Sequence, residues 1–222
     1  MAISAVQAQV EASSPPSKNW SDSRQVSCKR ALDVVASFLL LVLLSPLFLV
    51  LAVLVKLSSP GPALYQWKVV GKNGEPFSSR KFRSMVSNAD ELKAELESRN
   101  EMTGPVFKLT QDPRITRIGS WMRKYSLDEL PQLYSVLKGD MSLVGPRPPL
   151  AREYIRFTNY QKQKLTVKPG ITCLWQVSGR NEVSDFDQWV KLDLEYIHRW
   201  SLWLDLRILF KTAATVWSGS GK

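Results

Sequence analysis

The chain has 222 residues, 44% of them hydrophobic and 23% charged, with a formal net charge of +10. That length gives one domain with a real core, and 8 Trp, 6 Tyr and 8 Phe exclude disorder throughout. Two cysteines, Cys28 and Cys173, and a single histidine, His198, exclude a disulfide scaffold and a zinc cluster, while the positive balance calls for nucleic acid, an anionic membrane surface or a phosphorylated substrate.

Residues 1–27 are rich in Ala, Ser and Gln, carry Pro15-Pro16 and read as a disordered leader without the pattern of a signal peptide. Residues 28–58 read as a membrane helix. Its stretch from 34 to 57 is almost wholly apolar, about 24 residues that reach roughly 36 Å as a helix. Ser45-Pro46 breaks it near the midpoint, because proline lacks the helical N–H and clashes with the preceding turn. Lys18, Arg24, Lys29 and Arg30 precede the segment, and Lys56, Lys68, Lys72, Arg80, Lys81 and Arg83 follow it. Basic residues favour the cytoplasmic side, so a helix that enters and leaves on that side satisfies both flanks. A kinked straight span is the alternative.

The remaining residues, 59–222, read as one domain lying on the membrane. Ser58 to Pro62 stops the hydrophobic helix. Two short alternating runs, 63–70 and 76–85, flank an Asn73-Gly74 turn and predict a small β-hairpin. Residues 88–100 predict a solvated charged helix. Helices are also expected over 116–124, 127–137, 151–165 and 188–217, and a Gly/Pro loop over 144–149. Trp189, Trp200, Trp203 and Trp217 near Arg199, Arg207 and Lys211 suit an interfacial amphipathic helix, and equally a core-packed one. The fold class is therefore α+β and mainly helical.

The densest polar segment is 114–149. Ser126 followed by Glu129 has the spacing of a capping box. A cap does not need Asp128 as well, nor the cations Arg114, Arg117, Arg123 and Lys124 just before it. Neighbouring helical residues point about 100° apart, so Asp128 and Glu129 suit two different roles. Two carboxylates would repel a diphosphate unless a cation lay between, and Mg²⁺ takes one or two carboxylates together with phosphate oxygens. Carboxylate, cation and arginines are the parts of a phosphoryl-transfer site, in which Asp also serves as nucleophile. In Gly145-Pro146-Arg147-Pro148-Pro149 the prolines fix the backbone around a guanidinium fork suited to phosphate, or make a rigid linker. No Walker A or G-x-G-x-x-G is present. Asp185 and Asp187 have the spacing of a metal–nucleotide site but read as a surface turn or cap.

Taken in order, K-F-R-S-M (81–85), D-P-R-I-T-R-I-G (112–119), S-L-D-E-L-P-Q-L (126–133) and G-D-M-S-L-V-G-P-R-P (139–148) resemble the bacterial sugar transferases, the monotopic polyprenyl-phosphate phosphoglycosyl transferases. The likeness covers about 29–217. It implies transfer of a sugar-1-phosphate from a UDP-sugar to polyprenyl (undecaprenyl) phosphate, with UMP released, at the start of exopolysaccharide, capsule or O-antigen synthesis. By that resemblance Asp128 is the nucleophile and, with Glu129, a Mg²⁺ ligand, while Glu129 positions the metal or takes a proton. Arg123 and Arg147 match phosphate-binding arginines, Lys81 and Arg83 match the K-F-R-S-M strand beside the site, and these four with the nearby Arg114 and Arg117 are expected to bind substrate phosphate. Ser45-Pro46 matches a re-entrant break. The family's Q-x-R-x-G before the hairpin turn is not kept in Tyr65-Gln66-Trp67-Lys68-Val69-Val70-Gly71, so no role passes to that segment. W-Q-V-S-G-R at 175–180 favours glucose or galactose.

The implied setting is the cytoplasmic face of the bacterial inner membrane, with lipids as partners, no nucleic acid, and room for a homo-oligomer. Two rival readings are a membrane-anchored basic scaffold or nucleic-acid module without catalysis, and a glycosyltransferase using Asp185 and Asp187 that would release UDP.

Overall fold

The computed structural model describes residues 18–178 and 185–219. Thirteen elements are assigned among them, beside short 3-10 turns: α1 (Ser23–Leu43), α2 (Ser45–Ser58), β1 (Leu64–Val70), β2 (Pro76–Phe82), α3 (Ala89–Leu96), α4 (Arg117–Lys124), α5 (Leu133–Lys138), β3 (Ser142–Val144), α6 (Ala151–Tyr154), α7 (Asn159–Lys162), β4 (Gly170–Thr172), α8 (Phe186–Arg199) and α9 (Leu202–Ser218). The α+β, mainly helical expectation holds. Residues 18–27, expected within the leader, are structured: Lys18–Ser21 form a 3-10 turn, and Asp22 caps α1 by accepting from the Arg24 N–H. Trp20 stacks on Trp200 at 4.0 Å, and its Nε1 donates to the Ile197 carbonyl.

α1 is an inside-out helix. Its buried residues are Lys29, Asp33 and Ser37, spaced four apart on one face, while Val35, Phe38, Leu39, Val42 and Leu43 are exposed. Lys29 and Arg30 are therefore not free flanking charges. Lys29 Nζ pairs with Asp205 of α9 at 2.6 Å and donates to the Val144 carbonyl at 3.0 Å. Arg30 caps the end of α5 through the Val136 and Leu137 carbonyls. Asp33 accepts from Ser142 Oγ and the Leu143 N–H. Lys29 and Asp33 precede the uniformly apolar stretch that begins at residue 34, so they read as flanking charges rather than as a buried face.

At Leu44 the chain bends by 62° into α2, whose first turn holds Pro46; Ser45 Oγ donates to the Val42 carbonyl across the break. No single described helix is long and apolar enough to cross a membrane, but the bent pair meets that test together. Leu51 and Val55 of α2 are buried against Phe82 and Met122, each apolar side chain so covered contributing about 1.5–3 kcal/mol. Leu49, Val50, Val53 and Leu57 stay exposed.

β1 and β2 form the expected antiparallel hairpin, with Asn73 and Gly74 both left-handed (φ 58° and 85°) in the turn. A second, parallel pair of β3 and β4 was not expected, because each strand has only three residues. The 151–165 helix is broken: α6 ends at Tyr154, and Thr158 opens α7 by capping Gln161 N–H. The 188–217 helix is likewise two helices bent at Trp200-Ser201, where Ser201 caps α9. Trp189, Tyr196, Ile197 and Trp200 belong to the main core, so the core-packed reading holds for α8. Trp203, Phe210 and Trp217 of α9 are exposed.

Gly119 shows how closely α4 sits on the strand that leads out of the hairpin. A Cβ there would lie 1.9 Å from the Ser84 carbonyl oxygen, a backbone atom that has nowhere to move. Gly119→Ala is therefore expected to cost about 3 kcal/mol or more, read as a fall in thermal midpoint against wild type in the same detergent.

Candidate functional site

D-P-R-I-T-R-I-G is first a folding device. Asp112 accepts from the Arg114 backbone N–H and pairs with the Arg114 guanidinium at 2.6 Å, closing a turn. Arg114 also donates to the Ala89 carbonyl and lies over Phe107. Thr116 caps α4 by accepting from Gly119 N–H. Ser84 takes two bonds from this structure: its carbonyl accepts from Thr116 N–H, and its hydroxyl accepts from Arg123 Nε at 2.9 Å. The motif thus fixes the height at which Arg123 leaves α4.

Chain reversal after α4 passes through Ser126 in the left-handed region, φ 53°. That conformation is not the extended one an N-cap needs, and Ser126 makes no side-chain capping bond. The capping box expected for Ser126 and Glu129 is therefore not formed. A non-glycine residue held there costs about 1 kcal/mol, and it delivers Asp128 and Glu129 into a short 3-10 turn, Leu127–Gln132, packed on β2. Asp128 is buried at 6% exposure and Glu129 is half-buried.

Around the two acids stand Lys81, Arg123 and Arg147. Burial lowers the Lys81 pKa to about 8; Arg123 and Arg147 push it the same way, against the pull of Asp128 and Glu129. Burial likewise lowers Arg123, which Asp128, Asp112 and Glu129 draw back up. The structure so brings together five of the expected residues: Lys81, Arg123, Asp128, Glu129 and Arg147.

Arg147 is held by the parallel strand pair. Gly145 N–H donates to the Thr172 carbonyl and Gly170 N–H to the Pro146 carbonyl, both at 3.0 Å. A Cβ on Gly170 would meet the Gly145 nitrogen at 2.1 Å, so only glycine lets these backbones cross. Val70 N–H donates to the Pro149 carbonyl, which ties the loop to the hairpin as well. The rigid-linker reading and the placed-arginine reading turn out to be the same feature.

Three expected cations lie elsewhere. Arg83 clamps the end of α2, with Nε on the Pro62 carbonyl at 2.7 Å and its two terminal nitrogens on the Ser59 hydroxyl and carbonyl. Arg114 is committed to Asp112, as above. Arg117 is exposed and borders a shallow depression at the start of α4 that includes neither acid. Asp185 caps α8 and accepts from Thr103, while Asp187 accepts from Gln161, so both serve as local supports. Gly179 and Arg180 of the W-Q-V-S-G-R segment lie outside the described residues. Sequence reasoning missed Ser84, Lys29, Asp33 and Asp205 as supports of the site. A polar residue every four positions at the head of an apolar helix was the available signal.

Among the described residues no cluster of three or more His, Cys, Asp or Glu could cage a metal. A buried aspartate beside a half-buried glutamate fits Mg²⁺, which completes its shell with water and substrate phosphate.

The family model described as bacterial sugar transferase matches residues 24–219. The chain is 48% identical over 193 residues to the galactosyl transferase CpsE of Streptococcus agalactiae serotype III, covering 87% of this chain and 43% of that protein. It is 48% identical over 192 residues to the undecaprenyl-phosphate galactose phosphotransferase of Salmonella typhimurium, covering 85% and 40%. With the exopolysaccharide production protein ExoY of Rhizobium meliloti it shares 43% over 192 residues, covering 85% and 84%. The chain therefore spans about two fifths of the length of the first two relatives and most of the third.

Proposed function

The chain belongs to the bacterial sugar transferases, and from that premise we propose that it moves a sugar-1-phosphate from a UDP-sugar to undecaprenyl phosphate, releasing UMP. The observation that carries the reading is the buried Asp128 beside Glu129, ringed by Lys81, Arg123 and Arg147. In the first displacement an Asp128 oxygen bonds to the donor's β-phosphorus, and the bond from that phosphorus to the bridging oxygen breaks. UMP leaves with the electron pair. In the second, an oxygen of the lipid phosphate bonds to the same phosphorus and the aspartyl–phosphorus bond breaks, restoring the carboxylate. Lys81, Arg123 and Arg147 bind and orient the phosphate oxygens, where charge builds up. Asp128 and Glu129 would hold Mg²⁺, which supplies charge neutralisation when bound. Glu129 positions it or takes the proton of the lipid phosphate.

The test is a panel of UDP-sugars with undecaprenyl phosphate and Mg²⁺, reading the nucleotide product. Galactose or galactosyl appears in the names of three relatives and glucose in that of another, so UDP-galactose and UDP-glucose come first. UMP from one donor supports the reading; UDP would point to ordinary glycosyl transfer, and no turnover with steep salt-dependent anion binding to a basic scaffold.

Lys81 gives the reaction a pH signature. Its ammonium is present below about pH 8 and lost above it. Donor KM is expected to rise roughly tenfold between pH 8 and 9.5, while Lys81→Arg, charged throughout, flattens that limb. Stability moves the other way. Between about pH 8 and the ordinary lysine value near 10.5 the unfolded chain binds more protons, so the Lys81 contribution to folding improves as pH rises.

We read α1 and α2 as one re-entrant insertion on the cytoplasmic side of the bacterial inner membrane. Lys29, Arg30 and Asp33 fasten one end to α5, β3 and α9, and Arg83 fastens the other end at Ser59. A straight span would carry those ends roughly 30 Å apart, on opposite sides. In a Cys28→Ser background, cysteines at Ser21 and Lys72 should label from the same face. Labelling from opposite faces would establish a straight span.

A further inference from the structure

β1 has so far only supported the hairpin, yet one face of it borders the acid–cation group. Lys81 pairs in register with Tyr65, and Trp67 with Ser79, so Tyr65, Trp67 and Lys81 share a face. Lys81 Nζ sits 4.7 Å from the Trp67 ring centroid and 5.8 Å from that of Tyr65. Ser79, beneath Trp67, is fully buried and bonds Ser135 of α5 at 3.0 Å, which fixes the floor on which the indole rests. Trp67 is 7% exposed, and its Nε1–H has no acceptor among the described residues. Although Trp175 and Trp189 fill the main core with the same unused donor, Leu or Phe would fill the space without an indole N–H. What Trp offers over both is the most electron-rich ring face.

We propose that Trp67 is a positioning residue for the donor diphosphate: its indole face holds the Lys81 ammonium in place against the repulsion of Arg123 and Arg147. The proposal rests on the reading of Lys81 as a phosphate-binding group. A lysine side chain has four rotatable bonds and would otherwise swing toward Asp128 and Glu129, neutralising the acids instead of meeting the substrate. The ring leaves it charged and aimed, at a site already short of water.

The experiment uses the full chain in nanodiscs with undecaprenyl phosphate and whichever UDP-sugar the wild type turns over. Trp67→Leu is expected to raise donor KM roughly tenfold with kcat within about threefold, and Trp67→Phe, which keeps a ring face and removes the stranded donor, to stay within about threefold in both. In a Lys81→Met background Trp67→Leu should add less than about twofold to KM, because the ring then has no cation to hold. Thermal melting checks that each variant folds; should Trp67→Leu fail, Trp67→Met makes the same test with more volume. An unchanged KM in a folded non-aromatic variant overturns the inference, as does an equal loss with and without Lys81. Failure of the wild type to release UMP would instead strike the functional reading itself.

Discussion

Asp128→Asn will abolish UMP release, by about 10³-fold or more, while leaving the thermal midpoint near wild type. The amide has nearly the same shape and fills the same buried place, but it has neither the charge nor the nucleophilicity to displace UMP. When donor is supplied without lipid phosphate, the wild type is expected to gain a covalent sugar-phosphate mass on Asp128, and the variant to gain none. Glu129→Gln separates the roles. If Glu129 positions the metal, the loss shrinks at high Mg²⁺; if it moves a proton, added Mg²⁺ changes nothing. Full activity in Asp128→Asn, or a trapped mass on another residue, would remove the nucleophile from this account.

Asp205→Ala will be the most damaging single change away from the acids. Asp205 accepts from Lys29 Nζ, from Tyr196 Oη at 2.7 Å and from Trp200 Nε1 at 3.1 Å, all buried. Removing it leaves the buried Lys29 ammonium without its counter-charge, at a cost of about 3–5 kcal/mol. Lys29 Nζ also donates to the Val144 carbonyl, directly before Gly145-Pro146-Arg147, and Tyr196 Oη lies 3.1 Å from the same oxygen. The damage therefore reaches the site through the loop that carries Arg147. Lys29→Met will cost less, since Tyr196 and Trp200 still satisfy the carboxylate, and the double variant will melt above Asp205→Ala alone. Melting midpoints of the three proteins in one detergent check the order. A double variant no better than Asp205→Ala would show that the charge pair is not what holds this corner.

Position in the chain explains which features could be read without coordinates. The Asn73-Gly74 hairpin, the Ser45-Pro46 break and the Asp185 cap are local, set by backbone preferences over a few residues. Asp128, Glu129, Arg123 and Arg147 stood out because acids and guanidinium groups so close together need a reason. Arg83, Arg114 and Arg117 carry the same charge in the same motifs; Arg114 has Asp112 two residues before it, and nothing local distinguishes the other two. What separates them is the partner each meets: Pro62 and Ser59 for Arg83, Asp112 for Arg114, open surface for Arg117.

By itself, then, the amino-acid order determined a mainly helical chain with a broken apolar segment, one hairpin and a pair of acids set among basic residues. The tertiary structure decided which cations face those acids, that a run resembling a membrane helix begins with a polar stripe buried in the domain, and that two three-residue strands hold Arg147. The physical reason is distance along the chain. Lys29 meets Asp205 across 176 residues, and Asp33 meets Leu143 across 110. Local periodicity can mark such residues as a polar stripe but does not name their partners, because the stability of the pairings arises only once the whole core has excluded water from them.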